Sequence, residues 1–207
     1  MRAPLRLPLL AASAAFVLAA ACGRALARVD PSVAGAPAAA AEFSVYDLEA
    51  GWRDQDGRAR VLGSLRGKTR VVAMVYTSCA HTCPMIVAEM KRLEAALPPA
   101  EQGSVGFVLV SLDPARDTPA RMKSFATAMR LDPAAWTLLT GGADEVRELA
   151  AVLGIRYRAE ADGQISHANT YVVLDPAGGI VHRQDGLGGG TDAVLARIRR
   201  SATTVAD

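Results

Sequence analysis

The stretch 69–77 (TRVVAMVYT) constrains this chain most. Its interior is an almost unbroken apolar, largely β-branched run, without the alternation that leaves one face of a strand polar. Such a run reads as a strand buried on both faces of a sheet, which requires helices above and below it. The following sequence supplies them. Over 84–97, Ile86, Met90, Leu93 and Leu97 recur at helical spacing before Pro98-Pro99 ends the pattern. A second buried strand follows at 105–112. Thr118-Pro119 then pairs an N-cap with a proline at the first helical position, ahead of the stripe Met122, Phe125, Ala126, Met129. A short strand at 136–139 precedes a helix carrying Val146, Leu149, Ala150 and Leu153, which Gly154 stops. Segments 169–174 and 180–183 flank a Pro-Ala-Gly-Gly turn and should pair as a hairpin, and Val194, Leu195 and Ile198 mark a closing helix. Upstream, 43–48 reads as a short strand and Asp56-Gly57 as a turn. The alternation predicts a three-layer α/β/α domain with a mixed sheet over 42–203.

Residues 1–27 read as an address. Arg2 and Arg6 precede an uncharged Ala/Leu-rich run over 7–21, which is signal-peptide length and shorter than the roughly 20 residues that span a bilayer. Leu18-Ala19-Ala20-Ala21-Cys22 resembles a bacterial lipobox, in which Cys22 becomes the lipidated N-terminus. Ala25-Leu26-Ala27 is a competing cleavage site that would release a soluble protein. A retained anchor is the third alternative, and each of the three delivers Cys79 and Cys83 to a compartment that permits disulfides. Residues 28–41, with two prolines and no hydrophobic period, read as a tether. A net charge of +2 without a basic stripe, together with 5% aromatic residues, argues against nucleic-acid binding. Three cysteines are too few for a disulfide framework.

The chemistry concentrates at Cys79-Ala80-His81-Thr82-Cys83-Pro84, between a buried strand and the helix after it. A helix start stabilises negative charge, so a thiolate is favoured there. Two thiols four positions apart can chelate one metal ion or close on each other as a disulfide; a structural disulfide or an inert core pair is the bland alternative. The spacing is one residue longer than a thioredoxin-type redox turn. Structural zinc wants four protein ligands, and no further cysteine is at hand. The histidines are His81, His167 and His182, and two thiolates with one imidazole form a soft, three-coordinate set that suits Cu(I). By position alone, His167 is a loop residue facing solvent more often than a ligand. His81 is either a charge beside the thiols or simply exposed, and His182 is a surface residue on an outer strand.

The cysteine turn, the segment Ser111-Leu112-Asp113-Pro114-Ala115-Arg116-Asp117-Thr118-Pro119, and His167 ahead of Tyr171-Val172-Val173-Leu174-Asp175 together resemble the Sco/SenC family of copper-binding cytochrome c oxidase assembly factors. The resemblance implies a thioredoxin-like fold with family insertions, a copper ion held by Cys79, Cys83 and His167, and a place on the periplasmic side of the bacterial inner membrane. It also implies an oxidase subunit carrying the copper site as partner, with other copper carriers or thiol oxidoreductases as further ones. A reduced pair would hold metal and a Cys79–Cys83 disulfide would not. The rival reading is a thiol–disulfide oxidoreductase that reduces the partner's cysteines. Asp113 and Asp117 have sound structural readings, as a turn residue and a helix-start residue. The chain departs from the family in Ala80 and His81 within the turn and in Ala168 after the histidine.

Overall fold

The computed structural model describes residues 43–203. The leader, Cys22, Ala27 and the tether lie outside the described residues. A small hairpin, β1 (Trp52–Asp54) and β2 (Ala59–Arg60), turns at Asp56-Gly57 and leads to β3 (Thr69–Val75). Then come α1 (Thr82–Ala96), the single turn α2 (Pro99–Gln102), β4 (Val105–Ser111), α3 (Pro119–Ala128), β5 (Trp136–Thr140) and α4 (Ala143–Val152). A two-stranded insertion, β6 (Tyr157–Ala159) and β7 (Ile165–His167), precedes β8 (Thr170–Leu174), β9 (Ile180–Asp185) and α5 (Thr191–Thr203).

The main sheet has the order β2-β1-β5-β4-β3-β8-β9. Strands β3, β4 and β5 are parallel, as the crossovers through α1 and α3 require. Strands β8 and β9 close one side antiparallel, and the β1–β2 hairpin closes the other. Every residue of β4 and β8 is buried, so both faces of the central strands are covered. The mixed α/β architecture expected from the sequence is the one that forms. Helices α1 and α5 pack on each other and on β3, while α3 packs on β5. Trp136 stacks on Phe107 at 4.8 Å, and its indole N–H donates to Glu94 of α1 at 2.9 Å.

Local signals explain the boundaries. Thr118 caps α3 through its side-chain oxygen, which accepts from the Arg121 N–H at 3.3 Å. Gly154 ends α4 with φ +65, a conformation that suits glycine. Leu97 turns extended (ψ 130) before Pro98, ending α1. One expectation is corrected. Residues 43–48 do not form a strand but a 3-10 turn, Val45–Asp47, with the Ser44 hydroxyl oxygen accepting from the Tyr46 N–H. Adjacent Val45 and Tyr46 are both buried, which a strand with alternating faces would not allow against a single surface.

The chain joins the domain beside the β8–β9 turn. The Val45 N–H donates to Gly178 O at 3.0 Å and the Ser44 hydroxyl to Ala177 O at 2.6 Å. Because Arg70 of β3 pairs with Leu174 at the end of β8, this point lies where β3 begins. The cysteine turn lies where β3 finishes. Among the described residues no helix is long and apolar enough to cross a membrane.

Candidate metal centre

The end of β3 is pinned before the cysteines arrive. The Leu112 N–H donates to Val75 O at 2.7 Å, and the Thr77 N–H donates to Asp117 Oδ2 at 3.0 Å. The Cys79 N–H then closes a turn onto Tyr76 O at 3.2 Å, and α1 starts two residues earlier than the sequence pattern suggested, with Cys83 in its first turn. Cys79 is 8% exposed and Cys83 is fully buried. The Cys83 N–H points at Cys79 Sγ, 3.4 Å away, and the Thr82 hydroxyl lies 3.4 Å from the same sulfur. The unpaired donors of a helix start therefore converge on one sulfur atom, as the placement of the turn implies.

His167 comes from the far side. It is the last residue of β7, paired with Tyr157 of β6, and so sits on an ordered insertion rather than in a loop. Its Nε2 lies 3.3 Å from Cys83 Sγ. Its Nδ1–H donates to the carbonyl of the next residue, Ala168, at 3.0 Å, which turns the Nε2 lone pair toward the sulfurs. A hydroxyl at 168 is not needed for this, because the main chain supplies the acceptor. Tyr76 meets the imidazole edge-on, with ring centroids 6.0 Å apart, while its hydroxyl donates to Gln164 at 3.0 Å. Arg116 ties the same β6–β7 turn from another direction, donating to Gly163 O at 2.6 Å and pairing with Asp113.

The two thiols differ sharply. Burial alone would raise the Cys79 thiol. Hydrogen bonds from the Thr82 side chain, the main chain at Cys83 and His81, and the Cys83 thiol outweigh it and bring the group down to about 6. Cys83 moves the other way, pushed well above the usual thiol range by burial first and then by Cys79 and the nearby Asp117 carboxylate. Both thiols are free.

The ligand atoms of Cys79, Cys83 and His167 all lie within 4.8 Å of one another. The other sequence candidates do not join them. His81 caps α1 and is exposed, contributing its backbone rather than its ring. His182 is on the edge strand β9 as expected, yet it is half-buried, with an Nε2 that meets no partner. Asp117 is fully buried and accepts from Thr77 and from the Ser111 hydroxyl at 2.7 Å. It is a brace and not a ligand. Position alone could not single out Tyr76, Thr82 or Gln164 as supports; only the approach of β6–β7 to the strand end does so.

A mixed α/β frame that brings two buried thiols and one oriented imidazole together at a strand end defines a soft-metal domain. The chain belongs to the SCO1/SenC family, whose model matches residues 42–203. It is 29% identical over 131 residues to a Stutzerimonas stutzeri protein described as copper-binding, covering 61% of this chain but only 63% of that one. Among solved structures it is similar to BsSco, described as a member of the Sco family of cytochrome c oxidase assembly proteins in which a disulfide switch was identified. That match has 27% identity and TM-score 0.66, over 79% of this chain and 95% of that one. It is also similar to Bradyrhizobium japonicum ScoI with copper bound, at 25% identity and TM-score 0.62, over 73% and 96% of the two chains.

Proposed function

We propose that the protein is a copper metallochaperone. It holds one copper ion through the Cys79 and Cys83 thiolates and His167 Nε2, and passes it by ligand exchange to the cytochrome c oxidase subunit that carries the copper site. The observation that carries this reading is the convergence of three soft-metal donors within 4.8 Å, supported by the copper-bound relative. A lipid on Cys22 would hold the domain at the periplasmic side of the inner membrane, with other copper carriers or thiol oxidoreductases as further partners. Metal binding needs both thiols deprotonated and the imidazole neutral, so loading weakens in acid. Cu(I) competition titration of the reduced full chain tests the site. One equivalent binds tightly, and Cys83→Ser and His167→Ala each lose more than the roughly 10–100-fold typical of an outer-shell contact. Unchanged affinity in His167→Ala would remove the three-ligand site.

A second reading is thiol–disulfide exchange, favoured by the asymmetry of the pair. The Cys79 thiolate would attack a partner disulfide, releasing one partner thiolate. Cys83, after giving up its proton, would then attack Cys79 Sγ and release the second. The partner gains two electrons and this chain ends with a Cys79–Cys83 disulfide. Exchange that persists in Cys79→Ser eliminates this reading.

A further inference from the structure

The end of the sheet opposite the thiols carries a cleft of about 210 Å³ walled by Arg60, Lys68 and Arg70 with Ser64 and Thr137. None of its lining residues is acidic. Arg60 is offset by buried Asp54 at 2.9 Å. Arg70 is half-buried, and its Nε–H donates only to a carbonyl, that of Leu65 at 2.9 Å. Among the described residues no carboxylate pairs with Lys68 or Arg70; Tyr46 lies beside Arg70, and Asp132 shares only the neighbouring cavity with Lys68.

The berth for Arg70 is built into the sheet. Its β4 neighbour is Gly106, and a Cβ there would fall 2.1 Å from Arg70 Nη1, so a larger residue at 106 would make the guanidinium move from its present place. Burial draws the guanidinium below its ordinary range, but an arginine keeps its proton. The cleft thus holds two cations without a protein counter-charge. Its volume is below the roughly 300 Å³ at which drug-sized pockets begin, which suits a small anion and not a nucleotide.

The surroundings narrow the choice. Val61, in the cleft wall, is 60% exposed; outside the cleft lining but at the same end of the sheet, Phe43, where the chain joins the domain, is 59% exposed, and Ile180, opposite Leu174, is 46% exposed. An exposed apolar side chain in a cationic wall, with others at the same end of the sheet, is the composition of a surface that meets lipid headgroups. Forty-two residues of chain precede this point.

We propose that the Arg60–Lys68–Arg70 cleft binds a single phosphate group, presented by an anionic phospholipid headgroup or as inorganic phosphate. Arg70 and Lys68 supply the charge, and the Ser64 and Thr137 hydroxyls supply further donors. The site stands apart from the thiols, since Arg70 is five residues before the end of β3, roughly 17 Å at strand rise. It needs no metal.

Two arms on the metal-free full chain test it. In the first, about 10 mM inorganic phosphate replaces chloride at matched ionic strength. A site with a Kd of about 1 mM raises Tm by roughly 3–5 °C, and Lys68→Glu and Arg70→Gln lose the rise. In the second, sedimentation with vesicles of phosphatidylglycerol and phosphatidylcholine, against phosphatidylcholine alone, shows the native chain preferring the anionic vesicles about fivefold more than Lys68→Glu. The two chains share one N-terminal segment, so its contribution cancels. A response in the first arm alone assigns the site to free phosphate, and a response in the second assigns it to a headgroup. Lys68→Glu sits on a half-exposed side chain and keeps the test valid if Arg70→Gln fails to fold. If native chain and Lys68→Glu behave alike in both arms, the proposal is overturned.

Discussion

Asp117 holds the metal-binding end of the domain together, and its removal has a calculable consequence. The carboxylate is fully buried and accepts from the Thr77 N–H at 3.0 Å, from the Thr77 hydroxyl, and from the Ser111 hydroxyl at 2.7 Å. In Asp117→Ala the Thr77 N–H and the fully buried Ser111 hydroxyl lose their acceptor, at roughly 1–3 kcal/mol each, while the half-buried Thr77 hydroxyl can turn to water. The expected loss is about 4 kcal/mol, or a fall in Tm of roughly 8–16 °C for a domain of this size. Asp117→Asn keeps one oxygen acceptor and loses about half as much. Urea and thermal unfolding of the reduced, metal-free chain measure both. A second readout is chemical. Since the Asp117 carboxylate helps raise the Cys83 thiol, Asp117→Asn lowers that thiol, and its alkylation by iodoacetamide begins at lower pH. An Asp117→Ala chain within about 1 kcal/mol of native stability refutes the account of Asp117 as a brace.

Cys79 makes stability depend on pH. Its thiol is near 6 in the folded chain against 9.0 for an ordinary thiol, so between those values the unfolded chain binds more protons. Stability attributable to Cys79 therefore rises from about pH 6 toward 9 and is lost as pH falls through 6, and Cys79→Ser abolishes that rise in a series of urea titrations. Cys83, raised when folded, works in the opposite sense, costing stability above pH 9. Tyr76→Phe removes the bond to Gln164; unfolding shows a loss of about 0.5–1.5 kcal/mol, and copper titration shows weaker binding because the β6–β7 hairpin that carries His167 is less firmly held.

Much of this architecture was legible because burial and periodicity agree. The run at 69–77 had nowhere to go but the centre of a sheet, and the stripes around Met90, Met122 and Leu149 had faces wide enough to read. What escaped notice was short and polar. Trp52-Arg53-Asp54 offers one apolar side chain followed by two charges, and its strand exists because Asp54 satisfies the Asp56 and Arg58 N–H groups across the hairpin. Tyr157-Arg158-Ala159 and Ile165-Ser166-His167 are equally unmarked, and their pairing is what moves His167 from loop to site. The two thiols were visible at once because only three residues separate them along the chain. His167, the proposed third ligand, 84 positions from Cys83, was visible only through family resemblance, since no local rule connects such distant residues. Val45-Tyr46 misled in the other direction, because β-branched and aromatic side chains favour strands until both must enter one pocket.

The contact between the His167 ring and the Ala168 carbonyl has a consequence for how such a centre can change. The group that fixes the proton on Nδ1 is a peptide oxygen, present whatever side chain stands at 168. The orientation of the His167 ring is thus encoded in the path of the main chain and not in a neighbouring residue's identity. This contact places no demand on the side chain at 168, and a graft of the centre onto another scaffold must copy the backbone dihedrals of 165–168 before it copies any side chain beyond His167.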